Sequence, residues 1–140
     1  MIQPSDLTPT DWLRAVEAAF PGETPTIALA RGLVWWWNPQ VRLSTPRITQ
    51  LVETTGLHRE RITQRLGRLK HAGAISVLRV DRLTSRTRRK ARRADRWGHC
   101  YALLMSWAAT TLDPENDPAA APRLITSLAS GAGERTDVTT

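Results

Sequence analysis

Cysteine, phenylalanine, tyrosine and lysine are nearly missing from this chain of 140 residues, which holds one Cys, one Phe, one Tyr and two Lys. The single cysteine, Cys100, excludes an intrachain disulfide and any thiolate-rich zinc centre built by one chain. It agrees with a reducing compartment. The opening MIQPSDLTPTDW has no basic segment followed by an apolar run, so no secretory leader is expected. The longest apolar run, Cys100 to Ala109, is half of the roughly 20 residues that a membrane-spanning helix requires. The expected location is therefore the cytoplasm, close to the nucleoid, with no membrane partner. Catalytic signatures are also absent: no G-x-x-x-x-G-K-[ST], no H-E-x-x-H and no G-x-S-x-G occurs. His99 and Cys100 adjoin, but neighbours on a strand point to opposite faces and do not share a ligand. No enzyme, cofactor or metal is expected.

What the chain has in excess is arginine, eighteen against two lysines. A GC-rich genome explains Arg in place of Lys, but not where the charges fall. Residues 46–101 hold fifteen of the twenty Lys and Arg against four of the thirteen acids, a net charge of +11. Residues 1–45 carry −1 and residues 102–140 carry −3. A basic middle between acidic ends is the footprint of a nucleic-acid contact surface.

Helical spacing of Trp12, Leu13, Val16 and Ala19/Phe20 predicts a first helix, capped by Thr10 or Asp11 after an irregular lead-in over 1–9 and ended by Pro21-Gly22. A second helix is expected from Pro25 to about Trp37, stopped by Asn38-Pro39. Gln40 to Leu43 reads as a short strand. Pro46 is expected to open a third helix that carries Ile48, Leu51 and Val52 and ends at Thr55-Gly56. A fourth is expected over 58–72, with Ile62, Leu66 and Leu69 on one face and Gly73 as a left-handed cap. Ile75 to Val80 reads as a strand, and a second strand is expected at 99–104. From Leu112 the chain is rich in Pro, Ala and acids and reads as a flexible acidic tail, with one short helix possible at 122–129. The domain expectation is thus 1–111 with a tail at 112–140.

The segment from Arg47 to Ile75 is the most informative stretch. Two short amphipathic helices joined by a Gly-containing turn, pinned by Ile48, Leu51, Val52, Leu57, Ile62, Leu66 and Leu69, predict a helix-turn-helix. That geometry leaves the outer face of the second helix free for a major groove about 12 Å wide. On it lie Arg59, Glu60, Thr63, Gln64 and Arg68. Arg reads guanine, Gln reads adenine and Glu accepts from cytosine. Gly67 on the same side either permits close approach of the backbone to DNA or is simply tolerated.

The pattern Ile-x-x-Leu-Val-x-x-Thr-Gly-Leu, followed by Ile-x-x-x-Leu-x-x-Leu-x-x-Ala-Gly-x-Ile, resembles the winged helix-turn-helix superfamily. It is similar to MarR-like and GntR-like transcription regulators, and to the N-terminal DNA-binding domain of phage and plasmid replication proteins. The resemblance covers residues 27–80 and the strand near 99–104. It implies an α+β winged helix-turn-helix with extra N-terminal helices, whose residues 59–68 read bases while a β-hairpin wing follows the backbone. His58 stands where such proteins place a capping Ser or Thr, and it either shifts the helix start or touches a phosphate.

The wing would be long. Residues 81–96 hold Arg82, Arg86, Arg88, Arg89, Lys90, Arg92, Arg93 and Arg96 against two acids. With Arg47, His58, Arg61 and Arg65 they are the expected contacts to phosphate or minor groove. Each phosphate neutralised lowers log K by about 0.9 per decade of salt. A solvated loop, a targeting tract or an arginine-rich RNA-binding motif are the competing readings. Trp35, Trp36 and Trp37 are consecutive, so a helix sends one or two inward and leaves the rest as a partner surface. Trp97 and Trp107 are expected in the core. The expected function is sequence-specific binding of double-stranded DNA by a homodimeric regulator, repressor or activator. The alternative is a replication or mobile-element accessory protein that binds an origin and recruits a protein through the Trp cluster or the acidic tail. An interaction module that meets an acidic protein, and a regulator that senses a small molecule, remain open beside these.

Overall fold

In the computed structural model the described residues are 2–95 and 97–113. They form an α+β fold with six α-helices and a four-stranded antiparallel sheet. Helix α1 (Pro9–Ala19) starts earlier than expected, because Thr8 is the N-cap. Its hydroxyl accepts from the Asp11 N–H at 3.2 Å, while the Asp11 carboxylate accepts from the Thr8 N–H at 2.9 Å. Asp11 therefore closes a reciprocal capping box and is not itself the cap. Trp12 is fully buried, and its indole N–H donates to the Ala74 carbonyl at 2.9 Å, tying α1 to the far side of the core.

Helix α2 (Thr24–Trp35) stops two residues short of the expected end. The Asn38 carboxamide oxygen accepts from the Gln40 N–H at 2.9 Å, and the Asn38 carbonyl accepts from the Arg42 N–H at 2.8 Å. This side-chain-to-backbone turn occupies 39–42, where a strand was expected, and displaces the strands to either side of it. They are β1 (Trp37–Asn38) and β2 (Leu43–Ser44). Helix α3 (Ile48–Thr55) and helix α4 (Arg59–His71) follow. Then come β3 (Ile75–Arg79), α5 (Ser85–Lys90), β4 (His99–Leu103) and α6 (Met105–Leu112). The sheet order is β1-β2-β4-β3, with Ser44 opposite Tyr101 and Ile75 opposite Leu103. Helix α6 was not anticipated: the apolar run Tyr101–Ala109 lacks Gly or Pro to mark where strand gives way to helix. Its Ala108 and Ala109 are buried against α1.

The period of two along the strands divides the sheet into two faces. Ile75, Val77, Tyr101 and Leu103 point to the main core, where Trp12, Val16, Leu29, Leu33, Leu51, Ile62 and Leu69 of α1–α4 pack. Leu78, Cys100, Ala102 and Leu43 point the other way and meet Val80 and Leu83 in a second, smaller core. Val80 belongs to a 3₁₀ turn (Val80–Arg82), and its N–H donates to the Gly98 carbonyl at 2.9 Å. The expected antiparallel pair is present as β3 and β4, but the basic stretch between them is not an extended wing. The basic stretch folds back over the second face of the sheet, because Val80 and Leu83 find apolar partners there. Thr84 caps α5, and a left-handed residue, Arg92 (φ 56°), closes it. The Arg92 and Arg93 N–H groups donate back to the Arg89 and Arg88 carbonyls at 3.1 and 3.0 Å.

Arg93 is the main correction within this stretch. It was expected on phosphate and is instead 5% exposed. Its guanidinium donates from Nε and Nη2 to the Asp95 carboxylate at 2.7 and 2.8 Å. From Nη1 it donates to the carbonyls of Thr45, Pro46 and His99 at 3.1, 3.2 and 2.9 Å. Gly98 lies so close that a Cβ there would collide with both Arg93 and Asp95. Arg47, in extended backbone, is the N-cap of α3, so Pro46 lies before the helix and does not open it. Residues 114–140 lie outside the described residues, and with them almost all of the expected tail. No helix among the described residues is long and apolar enough to cross a membrane.

Two predictions follow from neighbouring arginines. Removing the buried guanidinium breaks its bonds to three backbone carbonyls and to Asp95, so Arg93→Ala should lose about 3 kcal/mol in urea unfolding. Arg92→Gly relieves a positive φ and should be neutral or gain up to about 1 kcal/mol. The Arg93 guanidinium beside Asp95 also holds that carboxyl at a pKa of about 2, below its ordinary value. The unfolded chain then binds more protons than the folded one between pH about 4 and 2, and stability falls as pH drops through that window. Asp95→Asn should flatten this loss in urea midpoints measured across it; Asp11 and Glu23, also lowered, leave a residual slope.

Candidate nucleic-acid interface

Helices α3 and α4 are joined by only three residues. Gly56 takes the left-handed conformation (φ 74°) that a side chain would resist. The Thr55 hydroxyl donates to the Leu51 carbonyl at 2.7 Å and accepts from the Leu57 N–H at 3.1 Å, fixing the exit from α3. On the other side of α3, a Cβ on Gly32 would sit 2.9 Å from the Thr55 methyl, so α2 approaches closely. Ile62 and Leu69 bury one side of α4, with Leu66 half-buried between them. His58 is the N-cap and makes no side-chain cap bond, leaving its imidazole exposed at the start of α4.

The outward side of α4 carries Arg59, Glu60, Arg61, Thr63, Gln64 and Gly67, all exposed. Arg59, Glu60, Arg61 and Gln64 make no hydrogen bond or ion pair among the described residues. The Thr63 hydroxyl donates to the Arg59 carbonyl at 3.1 Å and presents only its lone pairs outward. A Cβ on Gly67 would meet nothing within 4 Å.

The last two turns depart from expectation. Arg68, expected to read bases, is gripped by Glu23: its Nε and Nη2 donate to the two carboxylate oxygens at 3.1 and 2.7 Å. Its guanidinium also lies 5.0 Å from the Phe20 ring centroid. Arg65, expected on phosphate, turns to the same carboxylate at 3.6 Å and is half-buried. These bonds, the Arg68 hydrogen bond first, lower the Glu23 pKa and raise that of Arg68. The outward polar groups of α4 without intramolecular partners are therefore confined to its first two turns.

Arg47 stands at the N-terminus of α3, exposed, with Asp95 at 4.0 Å; its N–H donates to the Gln50 side chain at 2.8 Å. It borders two clefts. One, of about 290 Å³, runs to Arg59, Trp97 and His99. The other, of about 440 Å³, runs to Arg92 and the Trp35–Trp37 segment. Arg82, Arg86, Arg89, Lys90 and Arg92 are exposed and Arg88 is half-buried. They are carried on the cover of the second sheet face, not on an extended wing. Arg96 lies outside the described residues. Of the three consecutive Trp, Trp35 is 75% exposed. Trp36 is half-buried and donates its indole N–H to the Thr54 hydroxyl at 2.9 Å; Trp37 lies under Arg42 at 5.8 Å. Trp97, expected in the core, is 75% exposed, whereas Trp107 packs against the core as expected. Cys100 is buried, and that burial raises its pKa.

Compared with known proteins, the chain matches no family model, no curated protein and no solved structure.

The open space around Gly67 gives this surface a test with two signs. Gly67→Ala should raise stability by up to about 1 kcal/mol in thermal or urea unfolding, because Ala restricts the unfolded chain and favours helix. If DNA backbone approaches α4 closely there, the same methyl should weaken duplex binding while the protein becomes more stable.

Proposed function

We propose that this protein is a winged helix-turn-helix that reads double-stranded DNA with α4 in the major groove. The observation that carries the reading is the outward face of the first two turns of α4. Arg59, Glu60, Arg61 and Gln64 stand exposed there without intramolecular partners, on a helix whose opposite side is locked in the core. Unsatisfied donors and acceptors in a row on a rigid helix match base-edge readout: Arg to guanine, Gln to adenine, Glu to cytosine. The strand order supports it too. Two short strands before the two helices, and two strands after them, make one antiparallel sheet. Exposed Arg47 and His58, with the cations of the 82–92 segment, supply sequence-independent attraction to phosphate. Regulation of transcription is the activity that such a domain serves most directly.

Trp35 supports a second reading. An exposed Trp at the end of α2, away from α4, suits a protein contact, as a replication or mobile-element accessory factor would need.

Selection from a random pool of duplexes at physiological salt tests the proposal. An enriched motif is expected, and Arg59→Ala with Gln64→Ala should change its base preference and not merely its affinity. An inverted repeat one helical turn apart, about 34–36 Å between centres, would report a two-fold dimer. Binding without enrichment, or a motif unchanged in the double variant, contradicts readout by α4.

A further inference from the structure

The loop that Arg93 and Asp95 fix carries a Trp that the core does not use. Trp97 is 75% exposed, and Gly98 after it is held in place. Arg93 is buried and bonded to three backbone carbonyls, Gly98 packs directly on the Arg93–Asp95 pair, and the Gly98 carbonyl holds the Val80 N–H at 2.9 Å. Trp97 borders the cleft of about 290 Å³ between the N-termini of α3 and α4. The other walls are Arg47 and Thr49 of the α3 start, Arg59 of α4 and His99 of β4, with buried Tyr101 at the base. Asp95 also lines it, but its carboxylate is taken up by Arg93 and faces Arg47 at 4.0 Å. Two guanidiniums, Arg47 and Arg59, are thus left to set the charge of the cleft.

We propose that this cleft binds one unpaired nucleotide, its base stacked on Trp97 and its phosphate held by Arg47 and Arg59. An aromatic face beside cations is the arrangement that binds single-stranded nucleic acid, because every base offers a π-face and every phosphate a charge. The cleft lies at the small end of ligand sites and is concave, so it admits one nucleotide and not a duplex. Bases inside an intact duplex are stacked on each other and present only their edges. A Trp face is open to them only at an end, in a single-stranded extension, or after extrusion. The proposal deepens the duplex reading, because Arg59 borders both the cleft and the outward face of α4. A duplex seated on α4 and ending in a single strand would occupy both.

Binding of fluorescently labelled probes to the full chain tests it. The probes are a blunt duplex, the same duplex with a short thymidine extension, and an oligothymidine of roughly ten residues. The wild-type protein should prefer the extended to the blunt duplex by about tenfold. Trp97→Ala should abolish the preference, and Trp97→Phe should keep most of it. Trp97 is exposed, so the variant should fold, and circular dichroism checks this. Equal binding of the two duplexes, a preference that survives Trp97→Ala, or no Trp97-dependent binding to either single-stranded probe overturns the proposal. Oligothymidine binding that depends on Trp97, in a protein whose duplex selection shows no motif, would leave the cleft standing while the α4 reading fails.

Discussion

One guanidinium holds together the parts of the molecule that are proposed to face a nucleic acid. Arg93 gathers the backbone between β2 and α3, the first residue of β4, and the carboxylate of its own loop. A buried guanidinium needs its five donors satisfied, and charge in a dry site is tolerated only when paired. Asp95 and three carbonyls engage all three of its nitrogens. In doing so they set where α3 begins, where Arg47 projects, and how the loop bearing Trp97 lies against the start of α4. The rim of the candidate surface is therefore fixed by a polar constraint, while its interior is fixed by the apolar packing of Ile62, Leu69 and Leu51.

Charge is distributed by the same logic. The twenty cations do not make one undivided patch. Glu23 withdraws Arg65 and Arg68, Asp81 holds Arg79, and Asp95 holds Arg93. What remains outward on α4 is its first two turns, where charge and hydrogen-bonding groups are mixed. What remains outward on α5 is almost pure charge. The first composition suits discrimination between bases, and the second suits attraction to any polyanion. The Arg47 side chain lies between the two, bordering one cleft with Arg59 of α4 and another with Arg92 at the end of α5.

The two-helix unit was legible in the sequence because its signals are local. Gly56 and Gly73 mark the helix ends, and the apolar spacing of three and four gives the buried sides. The exposed Arg59, Glu60 and Gln64 follow directly from that spacing. What was illegible depends on contacts distant in sequence. Val80 and Leu83 sit among or beside arginines, and only the apolar second face of the sheet shows why the stretch folds back. Arg93 looks like its neighbours in a run of cations; Asp95 two residues later and Gly98 beyond it are its only local signs. Glu23 lies 42 and 45 residues from the two arginines it engages, so their withdrawal from the surface could not be read locally. Trp97 and Trp107 both flank the second strand, and that placement alone does not tell the exposed one from the one that packs on the core.

We propose that the first two turns of α4, with the rim that Arg93 positions, form a DNA-binding surface. Amide chemical-shift mapping of the labelled protein, titrated with its selected duplex, tests this most directly. The account predicts the largest shifts at Arg59–Gly67 and at the α3 start near Arg47, with α1 and α6 unmoved. Shifts confined to Arg82–Lys90, or centred on α1 and α6, would contradict it.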